Sequence, residues 1–168
     1  MTSTKRVCII GAGAAGITLA REFLGTSTRV CLVEAGGLSI DPAVDAISQI
    51  EDVGRPYEPE DKRLRYFGGT TNHWGGQSGP LDPIDFEKRD WVNDSGWPYA
   101  YEDLHPYYER SHQVLRLGSY DYAADQAAGA LGLDLFPFDP GVVQTSMTRN
   151  QRVRFGLECG GQLGQAED

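Results

Sequence analysis

A chain of 168 residues, 40% hydrophobic and 10% aromatic, is long enough to bury a core and too rich in aromatics to read as disordered. A formal charge of −9 excludes a phosphate backbone as the main partner, so no nucleic-acid role is expected. No apolar run reaches the roughly 18 residues that a bilayer span needs. The charge is uneven: residues 1–80 carry 8 basic and 9 acidic side chains, residues 81–168 carry 7 and 15. The near-neutral first half is the better place for a polyanionic ligand.

Lys5-Arg6 before an apolar stretch of small residues superficially resembles a secretory leader, but the glycine spacing inside it has a better reading, and a cytoplasmic protein is expected. Three cysteines, Cys8, Cys31 and Cys159, give neither metal-ligand spacing nor an even disulfide count. Cys8 and Cys31 sit inside apolar runs, where cysteine is expected to act as a small, buried, reduced hydrophobe.

Arg6–Ile10 (RVCII) reads as a fully buried parallel strand. Gly11-Ala12-Gly13-Ala14-Ala15-Gly16 follows, then a helix-favouring stretch from Ile17 to Leu24 that stops at Gly25. A second strand, Arg29–Val33 (RVCLV), ends in Glu34-Ala35-Gly36-Gly37. The order is strand, G-x-G-x-x-G, helix, strand, acid, and each part has a physical task. Gly11 allows the tight turn, Gly13 lets backbone approach a pyrophosphate, and Gly16 lets the helix lie close to the strand. The helix N-terminus, at Ala14 and Ala15, offers N–H groups and partial positive charge to phosphates. Glu34 stands where a carboxylate accepts ribose hydroxyls, and an acid there disfavours a 2′-phosphate. The motif predicts adenine-dinucleotide binding without separating FAD from NAD.

Residues 38–62 are polar and lack periodicity, with one short helical turn expected around Val44–Ile50. Then comes Arg63-Leu64-Arg65-Tyr66-Phe67-Gly68-Gly69-Thr70-Thr71-Asn72-His73-Trp74-Gly75-Gly76. Two glycine pairs around Thr, Asn, His and Trp suit neither a regular helix nor a strand. They suit backbone laid against a flat polar ligand. The plainer alternatives are that Trp74 anchors the loop in the core and that His73 is a hydrogen-bonded structural residue.

Together with the first module, this loop resembles the glucose–methanol–choline family of FAD-dependent oxidoreductases. Downstream, Phe86-Glu87-Lys88-Arg89-Asp90-Trp91-Val92, Ser95-Gly96-Trp97-Pro98 and Asp103-Leu104-His105-Pro106-Tyr107-Tyr108-Glu109 are similar to that family's entry into its substrate-side domain. Thr70–Gly76 is most similar to the branch of sugar and polyol dehydrogenases and pyranose oxidases. The resemblance runs from Arg6 to about Gly156. It implies an α/β chain: part of a doubly wound, Rossmann-like FAD-binding domain with the start of a substrate-side domain. The corresponding boundaries are 1–80, a βαβ module with a flavin-contacting loop; 81–148, the substrate-side start; and 149–168, a return segment.

The resemblance further implies that Gly11, Gly13, Ala14, Ala15, Gly16, Glu34, Ala35 and Arg65 contact FAD. With them stand Gly68, Gly69, Thr70, Asn72, His73, Trp74, Gly75 and Gly76. A histidine followed by Trp at this spacing from Gly68-Gly69 is, in the pyranose-oxidase-like branch, the covalent tether to the flavin 8α-methyl. For His73 a tether, a non-covalent contact and a purely structural role all stand open.

In the second half, Leu104, Tyr107, Tyr108, Val114 and Leu115 recur at helical spacing. Core packing is expected for the tyrosines, with Pro106 in a first turn and Gly118 as a stop. Asp121–Gly141 reads as loop with one short helix, and Arg149, Arg152 and Arg154 read as a solvated basic face.

The implied activity is oxidation of a CH–OH group of an alcohol or sugar-like substrate. His73, His105 and His112 are the only histidines, and none occupies the family's catalytic position, so no catalytic residue is expected here. By the resemblance the chain reads as one part of an enzyme: a truncation, a pseudogene-like remnant, or one subunit completed by a second polypeptide that carries a His pair. Two competing readings remain: an NAD-dependent Rossmann dehydrogenase, which leaves residues 68–76 without a role, and a non-catalytic FAD-binding subunit.

Overall fold

β1 (Arg6–Ile10) and β2 (Arg29–Val33) pair in parallel over their whole length, Arg6 opposite Arg29 and Ile10 opposite Val33. Both strands occupy the residues that the β-branched runs predict. The computed structural model describes residues 5–48, 53–54, 63–150 and 153–159. The chain is α/β and divides into two compact units, Met1–Trp74 with Val153–Asp168, and Gly75–Arg152.

In the first unit α1 (Ala14–Arg21) links the two strands and lies on one face of their sheet. Ile17 and Ala20 are buried from the helix side and Ile9 from the sheet side, and the turn Phe155–Cys159 also packs on α1. The helix begins at Ala14, earlier than Ile17, because the second glycine already serves as its N-cap. It ends in tightened turns, Phe23 to Ala20 and Leu24 to Arg21, before Gly25. α2 (Pro42–Asp45) starts where the Asp41 carboxylate accepts from the Ala43 N–H at 2.9 Å, and a 3₁₀ turn at Ala46–Ser48 continues it. Of the helical turn predicted over 44–50, residues 49 and 50 lie outside the described residues.

The expectations that β1 is fully buried and that Cys8 and Cys31 are buried are corrected. Ile9 is buried, but Arg6, Cys8, Ile10, Arg29, Cys31 and Val33 are exposed, Ile10 by 88%. α1 covers only one face of a two-stranded sheet, so every second side chain faces outward. Cys8 and Cys31 are therefore exposed, and Cys159 is the buried cysteine.

The second unit holds α3 (Pro83–Phe86), α4 (Tyr101–Leu115), α5 (Ala124–Leu131) and a short antiparallel ladder of β3 (Gln77–Ser78) with β4 (Arg149–Asn150). α4 starts before the predicted point, with Asp103 accepting from the Ala100 N–H at 2.9 Å, so Pro106 lies in its second turn. Of the predicted core face Leu104, Tyr108, Val114 and Leu115 are half-buried, but Tyr107 is 61% exposed and the buried residue of α4 is His112. The helix stops at Arg116, in the left-handed region, ahead of Gly118.

Candidate functional site

The glycine-rich turn joins β1 to α1. Gly11 has φ +96°, a conformation that disfavours a side chain, and its N–H donates to the Val33 carbonyl at 2.7 Å. That bond fixes the end of β1 to the end of β2. A Cβ on Gly16 would fall on the Gly11 carbonyl oxygen, so this position sets how closely helix and turn approach. At Gly13 the space where a Cβ would stand is open. The first helical bond is donated by Ile17 to Gly13, which leaves the N–H groups of Ala14, Ala15 and Gly16 at the N-terminus of α1. No acidic side chain occupies that first turn, and no side chain caps it.

Glu34 closes the turn from the β2 side. One carboxylate oxygen accepts from the Ala12 N–H at 2.6 Å, the other from Ala35 at 2.9 Å and Gly36 at 3.4 Å. A carboxylate has about four acceptor positions, so about one remains for a ligand hydroxyl. The residue read from sequence as a ribose acceptor is first a clamp on the glycine turn itself.

The loop at 64–74 lies over this turn. The Gly68 N–H donates to the Ala12 carbonyl at 2.7 Å, and the Phe67 N–H to Gly37 at 2.9 Å. A Cβ on Gly69 would stand 3.7 Å from the Cα of Gly13, and one on Gly36 would strike the Arg65 carbonyl. Three segments far apart in sequence thus meet mainly through backbone, with the Glu34 carboxylate the side chain that joins two of them. Contrary to the irregular path expected for 68–76, Gly69–Asn72 forms a 3₁₀ turn. In it the Thr71 hydroxyl donates to Gly68 at 2.5 Å, and the Thr70 hydroxyl accepts from Leu64 at 3.2 Å.

Two of the polar residues singled out in this loop serve as staples. The Asn72 amide donates to Phe67 at 3.0 Å while its oxygen accepts from the Gly156 N–H at 3.1 Å. The Trp74 indole N–H donates to the Val153 carbonyl at 3.0 Å. Nothing near 72 or 74 in sequence signals partners some 80 residues on; only a Gly at 156, whose Cβ would strike the Phe67 carbonyl, hints at close approach. Arg65 donates its backbone N–H to Asp45 at 3.0 Å. His73 is exposed, its ring edge-on to Tyr66 at 5.9 Å, and both line a cavity of about 1010 Å³. The walls beside them include Leu24, Val30, Leu32 and Arg154. Gly75 and Gly76 belong to the second unit.

The second unit contains a cluster that sequence reasoning missed. His112 is 3% exposed; its Nδ1 faces the Gly118 carbonyl at 3.3 Å and its Nε2 the Tyr122 hydroxyl at 3.0 Å. A carbonyl only accepts, so Nδ1 carries the proton and the Tyr122 hydroxyl donates to Nε2. Tyr120 packs on His105, Tyr108, His112 and Tyr122 and shares a hydrogen bond with Tyr101 at 3.1 Å. Burial, reinforced by that bond, pushes the Tyr120 phenol well above its ordinary value. Burial also raises Tyr122, with Arg149 opposing. Arg149 donates twice to the Asp121 carbonyl, at 2.7 and 3.0 Å, rather than forming a solvated face. Arg152 lies outside the described residues.

Among the described residues no group of three or more His, Cys, Asp or Glu is placed to hold a metal, and no helix is long and apolar enough to cross a membrane. No family model matches the chain, and no solved structure matches it. One curated protein does: 6'''-hydroxyparomomycin C oxidase of Streptomyces lividus, 31% identical over 118 residues, covering 61% of this chain and 21% of that protein. The chain spans about a fifth of the length of this relative and is similar over that stretch to an oxidase.

Proposed function

We propose that this chain binds FAD and supplies the cofactor-holding part of a glucose–methanol–choline-type oxidoreductase acting on a CH–OH group. The observation that carries the reading is the meeting of the open N-terminus of α1 at Gly13 with the backbone of Gly68 and Gly69. This cradle is lined by N–H groups, lacks side chains where a diphosphate would lie, and is flanked by one acid. The likeness to an oxidase supports the redox class.

In this reading Ala14, Ala15 and Gly16 donate to the diphosphate, and Glu34 keeps the turn closed while its remaining acceptor site takes a ribose hydroxyl. Flavin bound there supplies the acceptor for the hydride of the alcohol carbon. His73 and Tyr66 border the open cavity beside the loop, and His73 is the residue through which a covalent tether would run. The reading assigns neither of the other histidines as the base that removes the hydroxyl proton. His112 is buried with both nitrogens engaged, and the resemblance gives His105 no part in the reaction. In this reading, as the family resemblance implies, the base is a histidine pair supplied by residues other than those of this chain.

The test is flavin retention. Protein loaded with FAD should stay yellow through gel filtration, and excess NAD should not displace the colour. Glu34→Ala should weaken FAD binding about tenfold or more, since a hydrogen bond to a charged acceptor contributes roughly 1.5–3 kcal/mol. Retention of NAD and not FAD would support the nicotinamide reading instead. Acid precipitation of loaded protein then decides the tether: colour in the pellet that His73→Ala releases establishes it, and colour wholly in the supernatant removes it.

A further inference from the structure

We propose that Asn72 and Trp74 are positioning residues, which present His73 to the bound flavin by tying the chain on either side of it to residues 153–156. The inference rests on the FAD reading above and gives these two side chains a task other than touching the cofactor. His73 stands between two long-range hydrogen bonds. On one side the Asn72 oxygen accepts from the Gly156 N–H at 3.1 Å, while its amide donates to Phe67 at 3.0 Å. On the other the Trp74 indole N–H donates to the Val153 carbonyl at 3.0 Å. The segment that receives them is itself fixed: Val153 and Phe155 are buried, and the Phe155–Cys159 turn packs on α1. A Cβ on Gly68 would strike the Gly156 nitrogen, and one on Gly156 the Phe67 carbonyl, so the two segments already touch backbone to backbone.

Local structure alone would hold His73 loosely. Glycine pairs flank the loop, and Gly68, Gly69 and Gly76 all have positive φ, where backbone freedom is greatest. The His73 N–H donates to the Thr70 carbonyl at 2.9 Å, which ties it only to its own turn. With residues 72 and 74 both anchored to a distant segment, the backbone of His73 is fixed and only its side-chain torsions stay free. Tyr66, 7% exposed, limits the ring from one side, edge-on at 5.9 Å. Neither bond engages the imidazole, so the ring keeps its nitrogens for a ligand. A ring carried on fixed backbone loses less freedom when a ligand engages it, and that is the gain from the two bonds.

The experiment is NMR of the full chain carrying ring-labelled histidine, titrated with FAD. His73, His105 and His112 are the only histidines, so the His73 signal is identified by its loss in His73→Gln. In wild type that signal should shift as FAD binds. Asn72→Asp and Trp74→Phe should each bind FAD with a Kd within about twofold of wild type, yet lose most of the shift. Tyr122→Phe, a change in the second unit, should keep the shift in full. FAD bound without a His73 shift in wild type would overturn this proposal and leave the FAD reading standing, whereas no FAD bound at all would overturn both. An unchanged shift in either loop variant, a loss of affinity in step with the shift, or loss of the shift in Tyr122→Phe would also overturn it. A measurement without substitution covers variants that do not fold. In FAD-loaded wild-type protein the Gly156 amide should exchange with deuterium far more slowly than an amide without a partner. Exchange at the rate of such an amide would overturn the proposal.

Discussion

The glycine turn of the first unit and the histidine–tyrosine cluster of the second solve one problem, holding polar groups in a partly buried place, by opposite means. In the turn nearly every partner is backbone: Gly11 to Val33, Gly68 to Ala12, Phe67 to Gly37, with Glu34 the main side chain engaged. In the cluster every partner of consequence is a side chain set against a carbonyl or another ring, with His112 at the centre. In the backbone site an added atom is refused at Gly16 and Gly36 but meets open space at Gly13. The side-chain site satisfies its own members. The first holds itself through backbone and the second through side chains.

The largest effect should come from the tightest backbone approach. Gly16→Val sets a branched side chain onto the Gly11 carbonyl and should cost at least about 3 kcal/mol in urea unfolding, or prevent folding. Gly13→Val meets open space, so it should cost no more than about 1 kcal/mol yet abolish retention of FAD. Equal destabilisation by the two would break the distinction between a packing glycine and a ligand-approach glycine.

Next is His112→Ala, which leaves a cavity and an unpaired Tyr122 hydroxyl. A loss of about 2–4 kcal/mol is expected. Adding Tyr122→Phe should cost less than the sum of the two single changes, by about 1 kcal/mol, because the two side chains are one unit. Simple additivity would mean that the cluster is not the cooperative object its contacts describe.

Asn72→Asp should follow, at about 1–3 kcal/mol, since a carboxylate cannot donate to the Phe67 carbonyl. It should lower stability without changing FAD affinity in the folded fraction, which separates a staple from a cofactor ligand. Smallest is a pH effect. Tyr120 keeps its proton to higher pH in the folded chain than in the unfolded one, whose phenol titrates near 10.0. Its contribution is complete below that pH and declines as pH rises beyond it. Thermal midpoints should be insensitive to Tyr120 ionisation at neutral pH and fall above about pH 10, less steeply in Tyr120→Phe.

Legibility followed the same division. The strands at 6–10 and 29–33, the helix between them and the role of Gly16 could be read directly, because β-branched runs and G-x-G-x-x-G spacing act over a few residues. The exposure of Cys8 and Cys31 could not. An apolar run does not say whether one face of its strand or both will be covered. Leu104, Tyr107 and Tyr108 have helical spacing, but spacing alone does not say which face of α4 turns inward, and His112 took the buried place. Asn72 and Trp74 were visible as unusual residues among glycines. Their partners at Gly156 and Val153 were not.

By itself, then, the sequence determined a parallel βαβ unit with a side-chain-free turn and an acid after the second strand, since each depends on local backbone geometry that glycine, β-branched residues and spacing encode. Tertiary structure alone decided that Glu34 clamps the turn and that Gly69 lies against Gly13. It also decided that Asn72 ties the loop to a segment more than 80 residues away, and that Cys8 stands opposite Cys31. Those are meetings between distant stretches of chain. Which stretches meet depends on what the whole core covers, a quantity no local pattern carries.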